Sequence, residues 1–206
     1  MYVPRHFSEV RDDVVVALIR AAGFGHLVVA TATGFESSPI PFVVDERLDH
    51  VRAHVARPNP IWKHAPCDAL LIVPVSDAYI SPSWYPSKAE HGKVVPTWNY
   101  EVVHVHGRLV AHDDVEWVLR QIRDLTDTNE ADMEVPWSVD DPPADYIAST
   151  QRGIVGIQID VTRVEAKRKL SQNRTAEDQA GVLEGLEGGS PRSRAVGQAM
   201  RAVDRT

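Results

Sequence analysis

The sequence predicts a mainly β chain with peripheral helices, its strands closed into a barrel. Three observations carry this. Short runs rich in β-branched residues follow one another between residues 26 and 75, separated by turn punctuation. No helical stretch interrupts the first of them, which excludes parallel βαβ crossovers there. Several runs alternate apolar with polar residues, as expected of a strand with one buried face. Closure into a barrel suits such strands because it removes exposed sheet edges.

The elements follow in order. Ser8 is placed as the N-cap of an opening helix, with Glu9 in its first turn and Val10, Val14, Leu18 and Ala21 at helical spacing; Gly23 and Gly25 end it. HLVVATAT, PIPFVVDE, HVRAHVA and ALLIVPV then read as successive strands, with Ile40, Phe42 and Val44 on one parity. The stretch from Trp98 to Ala111 also alternates: Val103, Val105 and Leu109 share one face, His104, His106 and Arg108 the other. Asp113 or Asp114 caps a second helix bearing Val115, Val118, Leu119, Ile122 and Leu125, and Pro142-Pro143 starts a short third one holding Tyr146 and Ile147. IVGIQIDV is a further strand. Thr175-x-x-Asp178 resembles a capping box for a helix ending near Gly185. The domain reading is one domain over residues 1–186, followed by a loosely held Gly-, Ser- and Arg-rich tail over 187–206.

Composition bounds the function. The chain has 206 residues, 43% hydrophobic and 25% charged, enough for a sizeable core. No run approaches the roughly 18 apolar residues that span a bilayer, and MYVPRHFSEVRDD does not read as a signal peptide. Cys67 is the single cysteine, which excludes an internal disulfide and multi-cysteine metal sites and fits a reducing, cytoplasmic setting. The net charge of −7 gives no support for a large DNA-neutralising surface. The basic runs KRK (167–169) and PRSR read as solvated loops.

Four segments carry more chemistry than folding requires. In AHVARPNPIW, His54 and Arg57 leave a strand through a Pro-Asn-Pro turn, and the Arg57 guanidinium can fork onto two phosphate oxygens or simply sit on the surface. In AYISPSWYPSK, prolines pin Trp84 and Tyr85 ahead of Lys88, either to stack on a planar ring or to pack. In VPTWNYEVVHVHG, Thr97, Trp98 and Asn99 offer a hydroxyl, an indole and an amide at a strand start, a suitable edge for a heteroaromatic ring. His104 and His106 on that strand are compatible with metal or haem ligation, although no third ligand is evident and the reading is no metal. In KRKLSQN, Lys169, Ser171, Gln172 and Asn173 form a polar cluster that satisfies turn backbone or meets an anion and a polyol chain. No GxSxG, GxxxxGK[ST], HExxH or GxGxxG signature occurs, so no catalytic residue is assigned and enzymatic activity stays open.

Taken in order, MYVPRHF, AHVARPNPIW, YISPSWY, PTWNY and KLSQNRTAEDQAGVLEGL resemble the PaiB-type family of FMN-binding negative transcriptional regulators, over nearly the whole chain. The resemblance implies an FMN-binding split β-barrel of the pyridoxamine-phosphate-oxidase-like kind. It also implies a homodimer with its cofactor sites at the subunit interface. Arg57 would be a phosphate-side arginine, and Lys88, Trp98, Asn99 and residues 169–173 would line the site. The chain departs from the family at Val75-Ser76-Asp77, where a Gly-Pro pair is usual. The implied function is FMN-linked regulation, indirect or through redox state. A small FMN-dependent oxidoreductase, a haem-binding variant and a cofactor-free interaction protein are the alternatives. Direct DNA contact would need a patch built from Lys167, Arg168 and the tail.

Overall fold

The computed structural model describes residues 1–203. The strands are β1 (Ser8–Glu9), β2 (Phe24–Thr31), β3 (Gly34–Val44), β4 (His50–Ala56), β5 (Cys67–Ile80), β6 (Thr97–His112) and β7 (Ile154–Lys169). The helices are α1 (Asp12–Ala22), α2 (Ser87–His91), α3 (Val115–Glu130), α4 (Ala144–Gln151), α5 (Ala176–Glu187) and α6 (Pro191–Ala202). The strand order is β1-β7-β4-β3-β2-β5-β6, and β6 also pairs with β7. Hydrogen bonding therefore runs round a closed circuit of strands, with β1 appended at one side. The result is a mainly β split barrel with peripheral helices.

By contact the chain divides into two compact units. The first comprises residues 1–15, 74–103 and 165–206; the second, 16–73 and 104–164. In the second unit, β2 and β3 pair from Phe24↔Pro41 to Thr31↔Gly34 across a two-residue turn, and Gly34 supplies the positive φ the turn needs. Phe42↔Ala53 and Val51↔Ile159 extend the ladder through β4 to β7. The inward parity delivers Leu27, Val29, Ile40, Val51, Val55, Leu71, Val155, Ile157 and Ile159 to an apolar core. Asp114 caps α3 by accepting the Trp117 N–H at 2.8 Å. Gly156 leaves room for the Trp117 indole, and Trp117 stacks on His112 with ring centroids 4.1 Å apart.

The first unit has its own apolar cluster of Ala78, Ile80, Tyr85, Leu170, Val182, Leu186, Val196 and Met200. Three local expectations are corrected here. Ser8 caps no helix: it lies in β1 opposite Lys167, and α1 starts at Asp12. The KRK run is no loop, because β7 continues through it and Lys167 and Arg168 are buried. The segment expected as a loose tail contains α6, capped by Ser190 and anchored by buried Val196 and Met200; the last three tail residues, 204–206, lie outside the described residues. The Thr175 cap forms as expected, its hydroxyl accepting the Asp178 N–H, but the Asp178 carboxylate turns instead to Ser87.

Candidate functional site

The site grows from the polar continuation of an apolar strand face. In β6 the parity that buries Val103, Val105 and Leu109 also buries Asn99 and Glu101. Buried polar side chains need partners, and the end of β7 supplies them. Asn99 Nδ2 donates to Ser171 Oγ at 2.9 Å, and Ser171 Oγ lies 3.2 Å from Asn99 Oδ1. Ser171 reaches this position with φ of 66°, a left-handed conformation uncommon outside glycine. Glu101 accepts from Arg168 Nε at 2.8 Å and from Ser76 Oγ at 2.8 Å. Arg168 also reaches Glu9 at 3.3 Å. The Arg11 guanidinium, bonded to Glu9, is the main reason the Glu9 carboxyl is held down at about 2. The departure at Val75-Ser76-Asp77 is thus filled: Ser76 ties to Glu101, while Asp77 accepts from Arg192 Nε of α6 at 3.0 Å.

Beside this network lies a small pocket of about 120 Å³ lined by Tyr85, Val95, Pro96, Thr97, Asn99, Lys169, Ser171, Asn173 and Arg174. Lys169 Nζ donates to Thr97 Oγ1 and the Trp98 carbonyl, both at 2.5 Å. Burial, reinforced by Lys167 and Arg174, pushes its ammonium below the usual lysine range. Arg174 stands over the Tyr85 ring, 4.7 Å from its centroid. The Tyr85 hydroxyl is buried with no hydrogen-bond partner among the described residues. At the strand start Trp98 is 52% exposed and meets Tyr79 edge to face, ring centroids 6.3 Å apart.

Five of the anticipated residues, Thr97, Asn99, Lys169, Ser171 and Asn173, therefore line one pocket, and Trp98 adjoins it through its carbonyl. The others stand elsewhere. Gln172 is tied to its own turn, accepting the Leu170 N–H at 2.7 Å and donating to the Arg168 carbonyl at 2.5 Å. Lys88 Nζ bonds Ser83 Oγ at 2.9 Å, beside a cleft of about 730 Å³ where Trp84 lies against Gly181 and Gly185 of α5. Arg57 belongs to the second unit. Its guanidinium grips Asp113 through two bonds of 2.9 and 2.6 Å and donates to the carbonyls of Arg152 and Ile154. Nearby, His54 Nδ1 bonds buried Gln121 Oε1 at 2.7 Å. The His104 and His106 rings stand 6.3 Å apart, and Arg163 lies 3.1 Å from His106 Nε2. Arg174 was missed as a site residue, and Tyr85 was read as stacking on a ring or packing rather than as a hydroxyl facing this pocket. The signal for Arg174 was its place between the polar KLSQN run and the Thr175 cap, which fixes the backbone on both sides.

The donor set suits a flavin nucleotide: hydroxyl, amide and indole groups beside two cations and an orphaned phenol. Closed strand circuit and site together define a flavin-binding split β-barrel. Residues 1–163 match the family described as "Putative FMN-binding domain". The chain belongs to that family, and its cofactor is FMN. It is 29% identical to the protease synthase and sporulation protein PAI 2 of Bacillus subtilis, over 91% of this chain and 89% of that one. It is 30% identical to an uncharacterized protein of Emericella nidulans over 91% and 90%. Among solved structures, the flavocytochrome Anf3 from Azotobacter vinelandii matches with a TM-score of 0.58 and 16% identity, over 87% of this chain and 78% of that one. The FAD and heme binding protein from Mycobacterium smegmatis matches at 0.59 and 12%, over 89% and 80%. These two likenesses concern the fold alone.

Proposed function

We infer that this protein is an FMN-carrying regulator of the PaiB type that acts without reading DNA itself, through a partner or through the redox state of its flavin. The observation that carries this reading is the environment of the KRK run. Arg168 is locked between Glu101 and Glu9, and Lys167 donates to the Tyr2 carbonyl while lying over the Tyr2 and Tyr100 rings. Two cations of the basic patch that a phosphate backbone would need are thereby withdrawn from the surface, in a chain of net charge −7.

Thr97, Asn99, Lys169, Ser171 and Asn173 would hold the nucleotide, and the exposed Tyr79–Trp98 pair offers an aromatic face for its ring or for a second subunit. A homodimer with its sites at the subunit interface is part of the proposal, as is a cytoplasmic setting. No described helix is long and apolar enough to cross a membrane. Bound FMN supplies hydride or electron exchange; the chain's part is to position it and shape its surroundings.

The test is titration with FMN, separation of bound from free flavin, and a DNA mobility-shift assay on the loaded protein. One retained FMN per chain with no shift at physiological salt is the expected result. Retardation of DNA would replace the indirect reading with a direct one, and loss of flavin on separation would leave an interaction protein.

A further inference from the structure

We propose that Tyr85, Lys169 and Arg174 form a subsite for a phosphate-sized oxyanion. The proposal deepens the FMN reading without depending on it, because the anion could be the phosphate of FMN or that of a separate small molecule. Size sets the first limit. About 120 Å³ holds a tetrahedral oxyanion or roughly four waters. It is well short of the ~300–1000 Å³ of pockets that enclose a whole cofactor-sized ligand.

Charge sets the second. Lys169 and Arg174 face the pocket together, and no carboxylate pairs with either among the described residues: the Lys169 partners are a hydroxyl and a carbonyl, and Arg174 lies on a ring. Asp178, the buried carboxylate of the neighbouring helix α5, accepts instead from the Ser87 N–H and Oγ. Two adjacent cations without a counter-ion repel each other, and an anion between them removes that cost.

The third observation is Tyr85. It lines the pocket and is 2% exposed, and no partner lies within hydrogen-bonding geometry of its hydroxyl among the described residues. A buried phenol left unpaired is unfavourable, and an oxyanion would accept its hydrogen bond. Ser171, held in its left-handed conformation by Asn99, fixes the turn that brings Lys169 and Arg174 to one side. The arrangement combines two charge-assisted donors with one neutral donor on a rigid strand end, which suits a doubly charged phosphate monoester.

The experiment compares wild type with Lys169→Met, Arg174→Gln and Tyr85→Phe, each checked for an unchanged circular-dichroism spectrum. Two readouts are used: the affinities for FMN and for riboflavin by flavin fluorescence, and the thermal shift produced by inorganic phosphate on flavin-free protein. The expected result is that wild type is stabilised by phosphate and each variant loses most of the shift. If the FMN-over-riboflavin preference of the wild type also falls about tenfold in Lys169→Met and Arg174→Gln, the anion is the phosphate of FMN. If that preference stays while the phosphate shift is lost, the anion belongs to a separate molecule. Variants that match wild type in both readouts overturn the proposal. Failure of wild type to bind either flavin would remove the FMN reading, and the phosphate shift would still decide the subsite.

Discussion

Arg168 in the first unit and Arg57 in the second both end on carboxylates, yet the two arrangements differ in what surrounds them. The side chains of Arg168 and Glu101 are 7% and 4% exposed, whereas those of Arg57 and Asp113 are 39% and 60% exposed. In water a pair such as Arg57–Asp113 exchanges hydration for contact almost evenly. Its mutual effect is visible in the depressed Asp113 carboxyl, caused first by the Arg57 hydrogen bonds, but solvent screens it. Away from water, Arg168 cannot leave Glu101 without stranding a charge. Similar chemistry therefore yields an exchangeable tether in one unit and a fixed strut in the other. The strut stands beside the oxyanion pocket.

The largest expected effect breaks the strut. Arg168→Met should destabilise the protein by about 3–5 kcal/mol in urea unfolding, because Glu101 stays buried and unpaired. Adding Glu101→Gln should recover more than half of that, since a neutral amide keeps a bond to Ser76 without the stranded charge. A loss below about 1 kcal/mol for Arg168→Met would place the two arginines in one class after all.

Next comes the packing beside that unit's core. A Cβ on Gly185 would stand 2.7 Å from Trp84 Cγ, inside contact distance of the indole. Gly185→Ala should cost about 1–3 kcal/mol through overpacking, despite alanine's better helix propensity. In a Trp84→Ala background the same change should turn neutral or favourable, and calorimetric midpoints would show the reversal.

The acid limb is smaller and has a defined sign. The folded Glu9 carboxyl is lowered from 4.5 to about 2. Its contribution is therefore present in full above the unfolded value and is lost as pH falls from about 4.5 through about 2. Glu9→Gln should flatten stability against pH in that window and leave the slope at neutral pH unchanged, as read from urea midpoints between pH 2 and 7. The smallest effect belongs to Arg57→Ala. Its urea midpoint should move less than that of any variant above, with FMN affinity unchanged. A tenfold loss of FMN affinity would show that Arg57 leaves Asp113 to meet the phosphate.

Much of the strand pattern was legible because alternation is a local property. Ile40 and Phe42, Val103 to Leu109, and the helix caps Asp114 and Thr175 follow from neighbours a few residues away. The polar cluster at Lys169–Asn173 was legible for a similar reason: charged and amide groups bunched after an apolar strand need a destination. What failed was the surroundings of individual side chains. KRK looked solvated because nothing nearby in the chain announces that β7 continues or that Glu101, 67 positions away, waits for Arg168. Gln172 looked like a ligand because its closure onto Leu170 and Arg168 depends on the geometry of the turn.

Sequence alone, then, determined most of the element types, the parity of β6 and the family to which the chain belongs, since these rest on periodicity and on ordered short motifs. Tertiary structure decided which polar groups are neutralised and which are left open. Arg57, Arg168 and Gln172 are engaged, while Lys169, Arg174 and the Tyr85 hydroxyl are gathered around a pocket, with no carboxylate paired to either cation among the described residues. The physical reason is range. Strand and helix preferences are set within a few residues, whereas the partner of a buried charge is chosen by a fold that brings together positions about seventy residues apart.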